Sequence, residues 1–321
     1  MNTQLIRSEI ASLETIQNVQ LSTTDTKLTL NEIGVLWSGL SENTRRSYTY
    51  AKKDYLESGF KFPANRNDLL DWIDVMVARG NGINTIKLNL NAIRFFHNCL
   101  GMECPINHDV ITAKLNGVVK LQHRELRQAH ALSIQEVERM VKTCDAKEKG
   151  TRDRALILAG YFGAMRRSEL LGIDMVDITI SNEGMTINIP VSKTGINQKV
   201  SLPCRADDLC PCRAVQELMS ILRQDMITEG KLFRSISQWG KWGDSLGETA
   251  LVKMMKTRAK ECDIDPTLIS GHSLRRGIAT ELLNSGKDSL KVARHGRWSR
   301  VDTVARYYSP HPFKDNVLNG L

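Results

Sequence analysis

The chain has 321 residues, a length that allows about two domains. Hydrophobic residues make up 41% and charged residues 25%, a composition typical of a water-soluble globular protein. No run of about 18 apolar residues is present, which excludes a membrane-spanning helix, and acidic residues interrupt the N-terminal apolar pattern, which disfavours a signal peptide. The formal net charge of +8 favours an anionic partner, with nucleic acid as the first candidate and a merely basic protein as the alternative.

The first part of the chain is predicted to be an all-helical domain over residues 35–122, preceded by an N-terminal extension over 1–34. Ser41 is a predicted N-cap for a helix that stops at Gly59. Further helical patterns cover residues 67–80, 84–101 and about 108–120. His97 lies on the apolar face of the third of these helices, so it is interpreted as a packed interface residue rather than a ligand.

A polar, basic linker is predicted over residues 123–132, followed by a mixed second domain over 133–308. Ser133 and Glu136 have the spacing of a capping box, and "RDRALILAGYFGAMRRSELLGI" has a helical pattern throughout. The stretches "MTINIPVSK" and "QKVSLP" alternate as strands around a Thr194-Gly195 turn, which predicts a hairpin or a three-stranded sheet. Helices are then expected at about 211–228, 248–261, 274–284, 287–294 and 299–308, and a short tail covers 309–321.

The seven cysteines are an odd number in a chain without an export signal, which indicates reduced thiols in the cytoplasm. Cys204, Cys210 and Cys212 lie close together in "PCRADDLCPC". A zinc site is the alternative interpretation, but the spacing is unusual and no fourth ligand is evident. Because Pro211 also suits the first position of a helix, we interpret these cysteines as ordinary helix-start residues and predict no metal or cofactor.

Several polar residues of the second domain are not explained by composition, and together they suggest phosphoryl-transfer chemistry. Arginine offers a planar fork that matches phosphate oxygens, a tyrosine hydroxyl can act as a nucleophile, and a lysine can protonate a leaving oxygen. Each residue has a simpler alternative: Arg166 as a solvated helix charge, His272 as a cap, and Tyr307 as a core aromatic. Spacing alone does not decide between these readings.

The set does resemble, in order and spacing, the tyrosine recombinase (phage integrase) family in its Cre-like form. "GAMRRSEL" is similar to the family's first-arginine box, "GHSLRR" to its H-x-x-R box, and "GRWSRVDTVARYY" to the stretch that leads to its nucleophile. The resemblance spans about residues 35–310. It implies a mainly α fold with a small antiparallel β-sheet, in which a helical core-binding domain and an α+β catalytic domain form a C-shaped clamp.

The resemblance also implies the catalytic roles. Tyr307 is the expected nucleophile, with the adjacent Tyr308 as the alternative, and Lys193 on the hairpin is the expected general acid, with Lys199 as the alternative. Glu169 is the expected partner of the first arginine. The full expected catalytic set is Arg166, Glu169, Lys193, His272, Arg275, Trp298 and Tyr307. Arg167 directly follows Arg166, and Arg276 directly follows Arg275. Because neighbours on a helix point about 100° apart, Arg167 and Arg276 should face elsewhere, toward the DNA backbone.

The implied partner is double-stranded DNA with an inverted-repeat target site, bound by a homotetramer of subunits that are monomers when free. The implied location is the cytoplasm of a bacterium, with the gene on a chromosome, phage or plasmid. The implied activity is site-specific DNA strand exchange through a 3′-phosphotyrosyl link. A type IB topoisomerase-like activity and a DNA-binding protein that does not exchange strands are the alternatives. The DNA-binding candidates, for phosphate contact or base reading, are Thr44, Arg45, Arg46, Tyr48, Lys52, Asn84, Thr85, Lys87, Leu88, Lys256 and Lys260.

Overall fold

The computed structural model describes residues 30–122, 129–189 and 198–307. The chain divides into two compact units, residues 1–126 and residues 127–321. Both units are dominated by helices, and the second also contains a small antiparallel sheet, so the expected mainly α fold class is confirmed. Among the described residues, no helix is both long and apolar enough to cross a bilayer.

The N-terminal unit is built from helices that surround one apolar core. Its elements are α1 (Leu30–Gly39), α2 (Glu42–Glu57), α3 (Arg66–Ala78), α4 (Ile83–Cys99) and α5 (Asp109–Leu121), with a 3-10 turn over Pro105–Asn107. Ser41 caps α2 by accepting a hydrogen bond from the amide of Thr44, and Gly59 ends the segment with a positive φ. Trp72 and Tyr55 are completely buried and their rings meet edge to face at 5.0 Å.

The second unit surrounds a larger core. Its elements are α6 (Ile134–Lys142), α7 (Glu148–Phe162), α8 (Arg167–Gly172), β1 (Ile178–Ile180), β2 (Gly184–Ile189), β3 (Gln198–Pro203), α9 (Pro211–Gln224), α10 (Glu248–Lys260), α11 (Ser273–Asn284), α12 (Ser289–Gly296) and α13 (Val301–Ala305). The strands form an antiparallel sheet in the order β1-β2-β3. The predicted Ser133–Glu136 capping box is present, and Pro211 opens α9 as predicted.

Three features differ from the sequence-based expectations. The predicted single helix over residues 152–173 is wrong, because the chain leaves the helix at Gly163 and starts α8 at Arg167. Helix α1 was not predicted. Residues 129–132, at the end of the expected linker, belong to the second unit. Leu132 is fully buried in its core, and the Leu132 carbonyl oxygen would lie 2.1 Å from a Cβ at Gly277.

Candidate active site

The break between α7 and α8 creates a turn whose backbone carbonyls face the arginines of the site. The amide of Ala164 donates to the Tyr161 carbonyl and that of Met165 to the Gly160 carbonyl, the two hydrogen bonds of a Schellman motif. Ala164 occupies the left-handed position, with φ of 45°. Because this is the negative end of the α7 dipole, its free carbonyls favour cationic side chains.

Arg275 uses this helix end. It lies in the first turn of α11, is buried, and donates from Nη1 to the Ala164 carbonyl at 2.5 Å. Its guanidinium carbon lies 3.9 Å from the centre of the Trp298 ring, a cation–π contact. Burial, followed by the charge of Arg166, lowers the pKa of Arg275 to about 9. The buried Arg275 guanidinium therefore carries its positive charge at a desolvation cost, and an anion that binds beside it would offset that cost.

A second turn of the same kind follows α12. The Arg297 amide donates to Arg294 and the Trp298 amide to Ala293, while Arg297 itself takes the left-handed conformation with φ of 59°. Gly296 has no room for a side chain, because a Cβ there would lie 1.7 Å from the Trp298 ring. The turn therefore fixes the position of that ring.

Glu169 connects the two turns. The carboxylate is buried and accepts hydrogen bonds from the Arg166 amide at 2.9 Å, from the Arg166 guanidinium, and from Nη2 of Arg297 at 2.9 Å. Burial alone would raise the pKa of Glu169, but the amide of Arg166 and the Arg297 and Arg166 guanidinium groups more than offset it. The carboxylate is therefore ionised and orients both arginines. Arg166 also donates from Nη2 to the Arg297 carbonyl at 3.0 Å.

His272 precedes α11 and is exposed. Partial desolvation and the charges of Arg275, Arg167 and Arg166 lower its pKa below the ordinary 6.5. The imidazole is therefore neutral near pH 7, a state in which one ring nitrogen can accept a proton.

Tyr307 lies just beyond α13, beside Trp298. The two ring centres are 5.8 Å apart, and the Tyr307 carbonyl accepts a hydrogen bond of 3.1 Å from Thr280 on α11. The ring is half-buried against a small apolar cluster that includes Val304. Arg275, Trp298 and Tyr307 are therefore neighbours in space, although Arg275 and Tyr307 are far apart in sequence.

Two of the sequence-based assignments fall outside the described residues. Lys193 and the alternative nucleophile Tyr308 both do so, as does the tail over 309–321. Lys199, the alternative to Lys193, is described: it is exposed on β3, opposite Asn188 of β2.

The neighbouring arginines contact protein groups rather than open solvent, and both stay near site residues instead of facing elsewhere. Arg167 forms an ion pair with Glu248 at 2.5 Å. Arg276 donates from Nη1 to the Ala129 carbonyl at 2.7 Å and lies over the Tyr307 ring. The role of Arg276 as a DNA-backbone contact is therefore not supported by its position.

The DNA-binding candidates of the N-terminal unit differ in their exposure. Asn84, Thr85, Lys87 and Leu88 at the start of α4 are exposed, as is Arg46, while Thr44, Arg45 and Tyr48 are half-buried. The assignment of Lys52 requires correction. Only 7% of Lys52 is exposed, and its ammonium group lies 5.0 Å from the centre of the Phe96 ring, so it packs inside the unit instead of extending to a phosphate.

In the second unit, Lys256 and Lys260 lie on α10. Together with Lys253 and Pro266 they line a shallow depression. Because residues three and four apart share one helix face, these three lysines form a row of positive charge, which we call the α10 lysine row.

Arg297 is a site residue that was not predicted from the sequence. Its side chain is almost fully buried and donates to the carbonyls of Gly163 and His295 as well as to Glu169. The signal in the sequence was weak: an arginine next to Trp298 in a run rich in arginines.

Comparisons with known proteins show the family and the fold of this chain. The model of the phage integrase family matches residues 130–312, more than half of the chain. An integrase/recombinase XerD homologue from Selenomonas ruminantium is 25% identical over 321 residues, covering 95% of this chain and 93% of the relative. The tyrosine recombinase XerD of Halalkalibacterium halodurans is 27% identical over 262 residues, covering 79% of this chain and 82% of the relative.

Solved structures share the fold. A lambda integrase dimer bound to a COC' core site matches with a TM-score of 0.59 at 14% identity, covering 90% of this chain and 96% of that chain. The XerH site-specific recombinase bound to a palindromic difH substrate matches with a TM-score of 0.56 at 19% identity, covering 83% of this chain and 75% of that chain.

Proposed function

Because this chain belongs to the phage integrase family, the family of the tyrosine recombinases, we propose that it cuts and rejoins DNA at specific sites through a 3′-phosphotyrosyl intermediate. One observation carries the proposal. The Arg275 guanidinium lies 3.9 Å from the Trp298 ring, whose centre lies 5.8 Å from that of the Tyr307 ring. An anion-binding group and a nucleophile of the required type therefore lie side by side.

In the proposed reaction, the Tyr307 oxygen attacks the phosphorus of the scissile phosphodiester. A bond forms between phosphorus and the tyrosine oxygen, and the bond to the 5′ oxygen breaks. Neutral His272 accepts the tyrosine proton, and Lys193 gives a proton to the 5′ oxygen, which leaves as a hydroxyl. One phosphodiester replaces another, so the step needs no external energy source and reverses when a different 5′ hydroxyl attacks.

Arg166 and Arg275 stabilise the extra negative charge on the phosphoryl oxygens in the transition state. The desolvation of Arg275 supports this role, because a buried guanidinium interacts with an anion more strongly than a hydrated one does. Glu169 holds Arg166 in place before DNA arrives, which lowers the cost of organising the site during the reaction.

DNA binding is proposed for one surface of each unit. In the N-terminal unit, the exposed side chains at the start of α4 suit base reading in a groove, because an α-helix fits the major groove. In the second unit, the α10 lysine row suits phosphate contact. The net charge of +8 supports a large electrostatic share of the affinity.

We further propose that four subunits act together on paired inverted-repeat sites, joined by the C-terminal tail. Phe313, Val317 and Leu321 recur at four-residue spacing, an apolar stripe that needs a docking surface. Deletion of residues 312–321 should leave half-site binding intact but impair the pairing of full sites. Normal pairing by the truncated protein, seen as the slow-migrating complex in a native gel, would remove the tail from this role.

The reaction is tested with duplexes selected from a random library for tight binding, then used as substrates in reciprocal strand exchange. Exchange of labelled arms between two duplexes is the expected result. Relaxation of supercoiled plasmid without exchange would instead indicate the topoisomerase-like activity, and binding without any covalent protein–DNA product would indicate a binding protein.

A further inference from the structure

Three thiols meet at the junction of β3 and α9. Cys204 directly follows the last residue of β3, Cys210 directly precedes α9, and Cys212 lies in the first turn of that helix. Their sulfur atoms all lie within 4.8 Å of one another. Cys210 and Cys212 are buried whereas Cys204 is exposed, so the group opens to solvent on one side.

The surroundings of the Cys210 sulfur suit a thiolate, whereas the Cys212 thiol donates a hydrogen bond of 3.3 Å to the Leu202 carbonyl, which metal binding would break. The Arg205 amide points at the Cys210 sulfur, with a nitrogen–sulfur distance of 3.3 Å. Cys210 also sits at the positive end of the α9 dipole, with Pro211 at the first helical position.

We propose that Cys204, Cys210 and Cys212 form a binding site for a zinc ion, with water as the fourth ligand on the open side. Three thiolates are a preferred donor set for Zn²⁺, and an exposed position leaves room for the water. Tetrahedral zinc with bonds of about 2.3 Å places sulfurs about 3.8 Å apart, so even the most widely separated pair would need to close by no more than about 1 Å.

Nearby charge supports the assignment. Three thiolates around Zn²⁺ carry a net charge of −1, and two arginines lie close by in sequence: Arg205 on the loop, paired with the Asp207 carboxylate, and Arg213 in the first turn of α9, which donates to the Asp207 carbonyl. A bound cation stabilises thiolates that would otherwise repel one another.

The proposed ion would brace a connection that leads to the active site. It ties the end of β3 to the start of α9, and Arg205 within this loop lies 4.8 Å from the centre of the Phe162 ring. Phe162 is the last residue of α7, directly before the turn that binds Arg275. We therefore expect the metal to act on stability and on the packing of this turn, and to take no part in the phosphoryl transfer.

The test uses the full chain, purified under reducing conditions, and Co²⁺ as the spectroscopic probe. Metal-free protein is titrated with Co²⁺, and the near-ultraviolet sulfur-to-cobalt charge-transfer band and the visible tetrahedral bands are recorded. Zinc content after purification in the presence of zinc is measured by mass spectrometry. The variant is Cys204→Ser, an exposed position whose change leaves the core intact, and the control is Cys144→Ser, a half-buried thiol outside the group.

The expected result is about one zinc per chain in the parent and in C144S, with a charge-transfer band whose intensity fits three thiolates. C204S should lose part of that band and bind Co²⁺ more weakly by more than the 10–100-fold typical of losing an outer-sphere partner. Zinc should also raise the melting temperature of the parent more than that of C204S. Absence of the band, equal metal binding by C204S, or a disulfide within the group in the freshly purified protein would each overturn the proposal.

Discussion

Arg297 donates a hydrogen bond of 2.9 Å from Nη2 to Oε2 of Glu169, the same buried carboxylate that holds Arg166. One acidic residue thus orients two arginines from opposite ends of the second unit's sequence. Arg297 does not need to touch DNA to influence the reaction, because its loss would leave Arg166 with a less constrained partner. We regard it as a positioning residue.

Replacement of Arg297 by Gly removes its contacts with Glu169 and with the turn at Ala164 but adds no backbone strain, because glycine adopts the left-handed conformation of residue 297. We expect R297G to cleave DNA roughly 10- to 100-fold more slowly, by analogy with the loss of other outer-sphere partners. Affinity for the DNA should stay within about twofold. Single-turnover cleavage and equilibrium binding separate the two quantities, and equal losses in both would show a merely structural role. Arg294→Gly, at an exposed position on α12, controls for the loss of charge.

Two substitutions of Ala164 should differ in their effect on the free energy of unfolding. Ala164→Gly removes the strain of a left-handed alanine, offset in part by greater freedom of the unfolded chain, and should change the free energy of unfolding by no more than about 1 kcal/mol. Ala164→Val should cost about 3 kcal/mol, because a β-branched residue fits neither this backbone nor the buried space. Urea titrations monitored by circular dichroism check both values. Parent-like stability of A164V would contradict the left-handed, buried conformation of residue 164.

Acidification should destabilise the N-terminal unit through His97. Its Nε2 accepts a hydrogen bond of 3.0 Å from the Ala64 amide, so the ring is neutral, and burial lowers its pKa below the ordinary 6.5. The unfolded chain therefore binds the proton more readily than the folded one. The corresponding stability is present above about pH 6.5 and is lost as the pH falls below that value.

His97→Gln removes this titration and should flatten the pH dependence of the melting temperature between about pH 7 and pH 5.5. The control is Asn98→Gln, which changes an exposed side chain next to His97 and no titratable group. The parent and N98Q should share one slope, and H97Q should have a smaller one. An unchanged slope in H97Q, measured by scanning calorimetry, would rule His97 out as the source.

The α10 lysine row should contribute to DNA affinity without contributing to base choice. Changing Lys256 and Lys260 together to Ala should weaken binding about equally for cognate and unrelated duplexes. The log–log dependence of affinity on salt should become shallower by about 0.9 for each phosphate that the protein no longer neutralises. Lys149→Ala, an exposed lysine on α7, serves as the control. If the double variant keeps the salt dependence of the parent, the α10 lysine row does not contact DNA phosphates.

Local chemistry explains which parts of the fold were predictable from the sequence. Ser41, Ser133 and Pro211 mark helix starts through their own caps or fixed φ, and these starts are confirmed. The break at Ala164 was missed because alanine gives no local signal for a left-handed turn. That turn is stabilised by Arg275 and Arg297, which lie more than a hundred residues away in sequence.

The same reason applies to the site. Spacing and family resemblance pick out Arg275, Trp298 and Tyr307, and the structure brings them together. No pattern links Glu169 to Arg297, because this contact depends on tertiary packing. The short spacing of Cys204, Cys210 and Cys212 was visible in the sequence, but only the fold shows that their sulfurs meet. The burial of Lys52 was missed for a related reason: its stem follows an aromatic surface that only the folded unit creates.

The identity of the nucleophile tests the central claim most directly. Selected duplexes carrying a nick beside the cleavage position trap the covalent product, which is resolved on a denaturing gel and mapped by mass spectrometry of the tyrosine-linked peptide. We predict an adduct on Tyr307 in the parent and in Tyr308→Phe, and none in Tyr307→Phe, with DNA affinity within about twofold in all three, because the phenol oxygen acts mainly in the transition state. An adduct that persists in Y307F, or disappears only in Y308F, would contradict the assignment of Tyr307.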